Sequence, residues 1–115
     1  MSSVNITPKA IFTSTFVLFA APLPLQAEEA EWNTYYSRIN NHVEDVARVV
    51  ESVTEGAELI AEVLCLEAST AVANKMAGRP MFRDVSFGEA FTSSRAVILR
   101  ETREVVYKAK LKASR

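Results

Sequence analysis

A few side chains in this sequence have the chemistry for a site, but none is accompanied by the partners a site needs. His42 is the single histidine, with Asp45 three residues on. At helical spacing the two would share a face and supply half of a metal site. A closed site needs four donors, and Cys65 is about six helical turns further along. No metal and no cofactor is therefore expected, and His42 reads as a solvated or core-edge imidazole. Glutamates are frequent, but Glu-x-x-His does not occur, which removes the di-iron carboxylate bundles. No glycine-rich phosphate loop and no Ser/His/Asp set can be assembled. Lys108, Lys110, Lys112 and Arg115 lie beside Tyr107 and could meet phosphates or anionic lipid. Lysines two apart on a helix point in different directions, so a solvated tail accounts for them better. No catalytic residue is assigned, an enzyme is not predicted, and no nucleic-acid partner is expected.

Cys65 is the one cysteine of the chain, so no intrachain disulfide is possible. It reads as a small buried hydrophobe. The sharper alternative is an intermolecular disulfide across a dimer.

The ordered part of the sequence is a seam. Trp32, Tyr36, Ile39, Val43, Val46, Val50, Val53, Ala57, Ile60 and Leu64 alternate in steps of four and three. That is the seven-residue repeat of a helix burying one stripe against other helices. Between Glu28 and Ala77 there is no proline, and Gly56 is the only glycine. Gly78 is placed for a left-handed cap, and Pro80 follows it. The spacing predicts one helix over about residues 30–77, roughly 70 Å long at 1.5 Å per residue. Small and apolar residues flank the seam (Ala47, Ala61, Val49, Val63), as in bundle helices rather than two-stranded coiled coils. The opposite ridge carries Glu44, Arg48, Glu51, Glu55, Glu58 and Glu62. Leu59–Leu66 is apolar nearly all round, which predicts burial on more than one side.

Residues 78–85 read as a loop, with Met81, Phe82 and Val85 folding back over the bundle end. Ser86-Phe-Gly-Glu89 fits a capping box and predicts a second helix over about residues 86–113. Phe87, Phe91, Ile98, Thr102, Val105 and Ala109 share one face of it. A strand pair over Arg95–Leu99 and Lys108–Lys112 is the weaker reading, because Glu101-Thr-Arg-Glu104 is a poor hairpin turn. The fold class is therefore all-α. A long N-terminal helix and a shorter C-terminal one form an antiparallel helical hairpin, completed into a bundle by oligomerisation or a partner.

Charge divides along the chain. Glu28–Glu67 holds ten Asp and Glu against Arg38 and Arg48, net −8, and Ala68–Arg115 holds four acidic against ten basic residues, net +6. The hairpin would lay these blocks side by side so that they neutralise each other, although exposed pairs contribute only about 0–1 kcal/mol each.

Residues 1–27 contain no acidic residue and one lysine, Lys9. An apolar run from Ala10 to Ala21 leads to Pro22-Leu-Pro-Leu-Gln-Ala27. This is the layout of a secretory signal peptide cut near Ala27. The run is shorter than the roughly 20 residues a spanning helix needs. An uncleaved N-terminal anchor is the alternative, and an organelle transit peptide fits less well because arginine is lacking. Cleavage would leave residues 28–115 as the domain, located in the periplasm or outside the cell.

In the hairpin the second helix reaches back only to about residue 51. Trp32, Tyr36, Ile39, Val43, Val46 and Val50 are left without an intrachain partner and are the expected partner interface. The expected partner is a second copy or another helical subunit, with a membrane as a further possibility. The expected function is that of a non-enzymatic exported helical protein acting through helix–helix contacts, as an oligomer or as a subunit of an envelope or secreted assembly. The alternative is a membrane-associated accessory subunit, held by an uncut N-terminal helix and a basic C-terminal helix.

Overall fold

The computed structural model describes residues 28–114, which form helices and short connections with no strand among them. The all-α class holds. The signal-peptide and anchor readings of residues 1–27, like Arg115, lie outside the described residues.

The N-terminal half is not one rod. It is divided into α1 (Glu29–Asn40), α2 (Val43–Val49), α3 (Val53–Leu59), a wide π turn (Ile60–Leu64) and α4 (Leu66–Ala77). A 3₁₀ turn (Pro80–Phe82) leads to α5 (Phe87–Ala113), which at 27 residues is the longest element. The expected order of lengths is thus reversed. The greatest extent of the molecule is 43 Å, well short of the roughly 70 Å rod expected.

Each interruption has a local cause. Asn40 and Asn41 are poor interior helix residues, and α1 closes there with Asn41 N–H on Arg38 O and His42 N–H on Ile39 O. At the second break Val50 and Ser52 are extended (ψ 148° and 151°). Ser52 Oγ then accepts from Glu55 N–H at 3.0 Å, while Glu51 N–H donates to Glu55 Oε1 at 3.3 Å. Ser52-Val-Thr-Glu55 is therefore a helix start. The third interruption is the π turn, where Cys65 N–H bonds Ile60 O at 2.7 Å. The Ala61 carbonyl, bypassed by this shift, accepts instead from the buried Ser69 hydroxyl at 2.6 Å.

The end of α4 also differs from expectation. Gly78 is not left-handed (φ −85°, ψ 2°). Gly78 N–H bonds Lys75 O and Arg79 N–H bonds Met76 O, so tight turns rather than a left-handed cap close the helix. Ser86 caps α5, its Oγ accepting from Glu89 N–H at 3.1 Å.

These breaks let the chain fold back on itself. Elements α2, α3 and α4 all pack on α5, and α1 lies on α4. Along α5, Arg95 meets Glu62, Val106 meets Gly56 and Lys110 meets Val50; numbers fall on one side as they rise on the other, so the rods are antiparallel. Helix α1 starts beside Arg79, past the end of α4, and Arg38 in its last turn influences the Cys65 thiol at the start of α4. The result is three rods, namely α1, the α3–π–α4 stretch and α5, with α2 as the corner.

The core contains Tyr35, Ile39, Ile60, Val72, Ile98 and Val106, each with no more than 1% exposure. Fully burying an aliphatic or aromatic side chain contributes about 1.5–3 kcal/mol. Folding back buries Tyr35, Ile39, Val43 and Val46 together, which outweighs the few backbone bonds lost at the breaks. At Gly56 the backbone of α3 comes close to its neighbours. A Cβ there would lie 3.0 Å from Val106 Cγ1 and 3.1 Å from Val50 Cγ2.

Candidate functional site

The seam residues come first, because they were the expected interface. Ile39, Val43, Val46 and Val50 are buried within this one chain, and Trp32 and Tyr36 are half-buried. The premise that they lack an intrachain partner is corrected, since α1 and α2 fold back onto α4 and α5 and cover them. What remains partly open is an aromatic corner. Trp32 stacks on Tyr36, with ring centroids 5.4 Å apart at 23°, and Tyr35 tilts against both. Tyr36 donates a long 3.5 Å bond to Glu101 on α5. Burial, with Glu101 next, raises the Tyr36 phenol well above its ordinary range. A phenol held protonated in this way packs and donates; it is no base or nucleophile at neutral pH.

The candidate chemistry dissolves in the same way. Asp45 is engaged by Arg48, and no group of three His, Cys, Asp or Glu residues able to hold a metal occurs among the described residues. Cys65 is buried and free, and desolvation raises its thiol pKa, which makes it unreactive. Lys110 is not part of a solvated tail. Its Nζ donates to the Ala47 and Val50 carbonyls at 3.0 and 2.7 Å, neutralising the negative end of α2.

What the surface does offer is apolar. Leu59–Leu66, expected to be buried on more than one side, is covered on one only. Ile60, Ala61 and Cys65 are inside, whereas Val63 is 65% exposed, with Leu64 and Leu66 also open. Met81 and Val85, expected to fold over the bundle end, are exposed, and Phe82 is half-buried. Phe87, expected on the buried face, is exposed with its ring 5.9 Å from that of Phe91. An open groove runs past this turn, lined by Phe82, Val85, Ser86, Gly88, Glu89, Thr92 and Ser93. Near the end of α5, Tyr107 and Leu111 are open as well. No described helix is long and apolar enough to cross a membrane.

The expected neutralisation of the two charge blocks is sparse. Glu62 pairs with Arg95 at 3.1 Å, Glu28 with Arg79, and Glu44 approaches Lys112 at 4.0 Å. Glu51, Glu55, Glu58 and Glu67 have no basic partner among the described residues. The sequence did signal the open surface, because an all-round apolar segment needs cover on every side. What it could not show was which side the chain itself covers. No protein-family model matches the chain, and comparison with curated proteins and with solved structures finds no match.

Proposed function

We infer that this is a non-enzymatic exported protein acting through contacts between helix faces, as a subunit of an envelope or secreted assembly. The observation carrying the reading is the Leu59–Leu66 segment: apolar nearly all round in sequence, yet with Val63, Leu64 and Leu66 open to solvent. An apolar patch rimmed by charge is the usual signature of a protein-contact surface. The π turn that presents it fits the same reading, since such turns occur often at functional sites.

Site-specific photo-crosslinking in the native host tests this. A photoreactive residue at Val63 or Leu66 should give a discrete adduct, whereas one at Asn74, exposed on α4, should give none. Equal, diffuse labelling at all three positions would overturn the reading. The alternative, a membrane-associated accessory subunit, is favoured by the exposure of Lys108 and Lys112, which suits anionic lipid. Mass spectrometry of the native N-terminus separates the two, because a chain starting at Glu28 is exported and cut, and one starting at Met1 or Ser2 is anchored.

A further inference from the structure

Two open faces of this chain are complementary to each other. The first surrounds the π turn, where Val63 and Leu66 are 65% and 48% exposed. Glu58 and Glu67 flank them in the sequence, exposed and without a basic partner among the described residues. From Glu51 to Glu67 the chain holds five glutamates and no lysine or arginine. The second face is the outer side of α5 near its end. Tyr107 and Leu111 are 53% and 42% exposed, one turn apart, with Lys108 and Lys112 also exposed beside them. Both faces therefore present an apolar pair one helical turn long, bordered on one by carboxylates and on the other by ammonium groups.

We propose that the occupant of the acidic face is the basic face of a second copy of this chain. Tyr107 and Leu111 of one copy pack over Val63 and Leu66 of the next, with Lys108 and Lys112 set against Glu58 and Glu67. The proposal rests on the reading that the protein works through helix-face contacts, and names the partner. Within one molecule the two apolar pairs do not meet. Glu62 of the acidic stretch is tied to Arg95, while Tyr107 sits twelve residues further along α5, about 18 Å away at 1.5 Å per residue. Each copy is thus left with unpaired carboxylates on one face and, on the other, Lys108 together with Lys112, whose one acidic neighbour is Glu44 at 4.0 Å. Like charges at one-turn spacing on the glutamate ridge repel, and an incoming lysine pair relieves that strain. The apolar pairs provide contact area, and the charges select orientation and partner.

The test is sedimentation of the full-length chain, as purified after expression with its own N-terminal segment. Self-association should be concentration-dependent at about 50 mM salt and weaken roughly tenfold at about 500 mM, where exposed charges are screened. The variants Glu58→Lys/Glu67→Lys and Lys108→Glu/Lys112→Glu alter exposed residues only, and circular dichroism should show both as helical as the parent. Each alone should be monomeric. Mixed together they should associate, because the reversed acidic face of one then meets the reversed basic face of the other. Variants that associate like the parent, or a mixture that stays monomeric, would overturn the proposal. A parent chain that is monomeric at low salt but gives a discrete crosslink to a different protein at Val63 would overturn it too, leaving the broader helix-face reading intact.

Discussion

The hydroxyl of Tyr35 on α1 lies 2.6 Å from Thr102 Oγ1 on α5, across 67 residues of sequence and with both side chains at 0% exposure. Thr102 has one hydroxyl proton and spends it on the Ile98 carbonyl at 2.7 Å, so Tyr35 is the donor in the pair. The phenol must therefore stay protonated for α1 to remain tied to α5. Desolvation raises its pKa from 10.0 to about 12, and the Tyr36 phenol moves the same way. Because the folded values lie above the unfolded one, this stabilisation is complete below pH 10 and is lost as pH rises through about 12. In a Tyr107→Phe background, which removes the exposed third phenol, alkaline titration should show phenolate absorbance and loss of helical ellipticity appearing together above pH 10. Phenolate formation with intact helix would contradict the assignment. Tyr35→Phe, which leaves the Thr102–Ile98 bond in place, should lower stability by about 1 kcal/mol.

Gly56→Ala should destabilise the fold even though alanine is the better helix former by about 1 kcal/mol. The new methyl would lie 3.0 Å from Val106 Cγ1, 3.1 Å from Val50 Cγ2 and 3.3 Å from Val46 Cγ1, and overpacking of this kind costs about 1–3 kcal/mol. A drop in Tm of about 4–8 °C per kcal/mol is expected for a domain of this size. Adding Val106→Ala should recover part of the loss in a double-mutant cycle.

Two buried serines separate a structural bond from a redundant one. Ser69 Oγ holds the Ala61 carbonyl that the π turn leaves free, so Ser69→Ala should cost about 1–3 kcal/mol. Ser94 Oγ bonds the Ala90 carbonyl at 2.8 Å inside the regular helix α5, where the backbone serves the same acceptor. Ser94→Ala should be close to neutral in chemical denaturation. Equal effects would rule out the role given to the π turn.

Arg79 forms a two-pronged ion pair with Glu28, whose side chain is fully buried. Arg79→Met should release the first turn of α1 rather than unfold the whole molecule, because a carboxylate at a helix end can swing into water. Hydrogen exchange should show early amides of α1 losing protection while those of α5 keep it. Uniform loss across both helices would mean that the pair supports the entire core.

The free thiol of Cys65 is buried at 3% exposure with its pKa raised by desolvation. A thiol reagent should label it only in denaturant, and in native buffer only at the rate of opening. Immediate labelling of the folded protein would revive the intermolecular disulfide reading.

Much of the architecture could be read from single residues. The helical class followed from apolar spacing, and the start of α5 from Ser86 and Glu89. Ser52 and Glu55 have the same serine–glutamate spacing, a start signal that conflicts with the unbroken four–three rhythm through Val50 and Val53. That rhythm is blind to direction, because a heptad pattern survives a chain reversal if each piece still buries its stripe. The two asparagines at 40 and 41 carried the information that the rod ends there. The open apolar residues at 63, 64 and 66 were less accessible, because periodicity cannot tell a side covered by the chain from one left for a partner.

Every other rod or corner leans on α5, through Tyr35, Val50, Gly56 or Glu62. During synthesis this support is made last of the described elements, so α2 and α3 emerge before the helix they pack on, and α1 and α4 have only each other. Domains whose early segments are self-sufficient fold on the ribosome from the N-terminus; this one must wait for Phe87–Ala113. Until those 27 residues appear, the faces that α2 and α3 bury against them stay open to water.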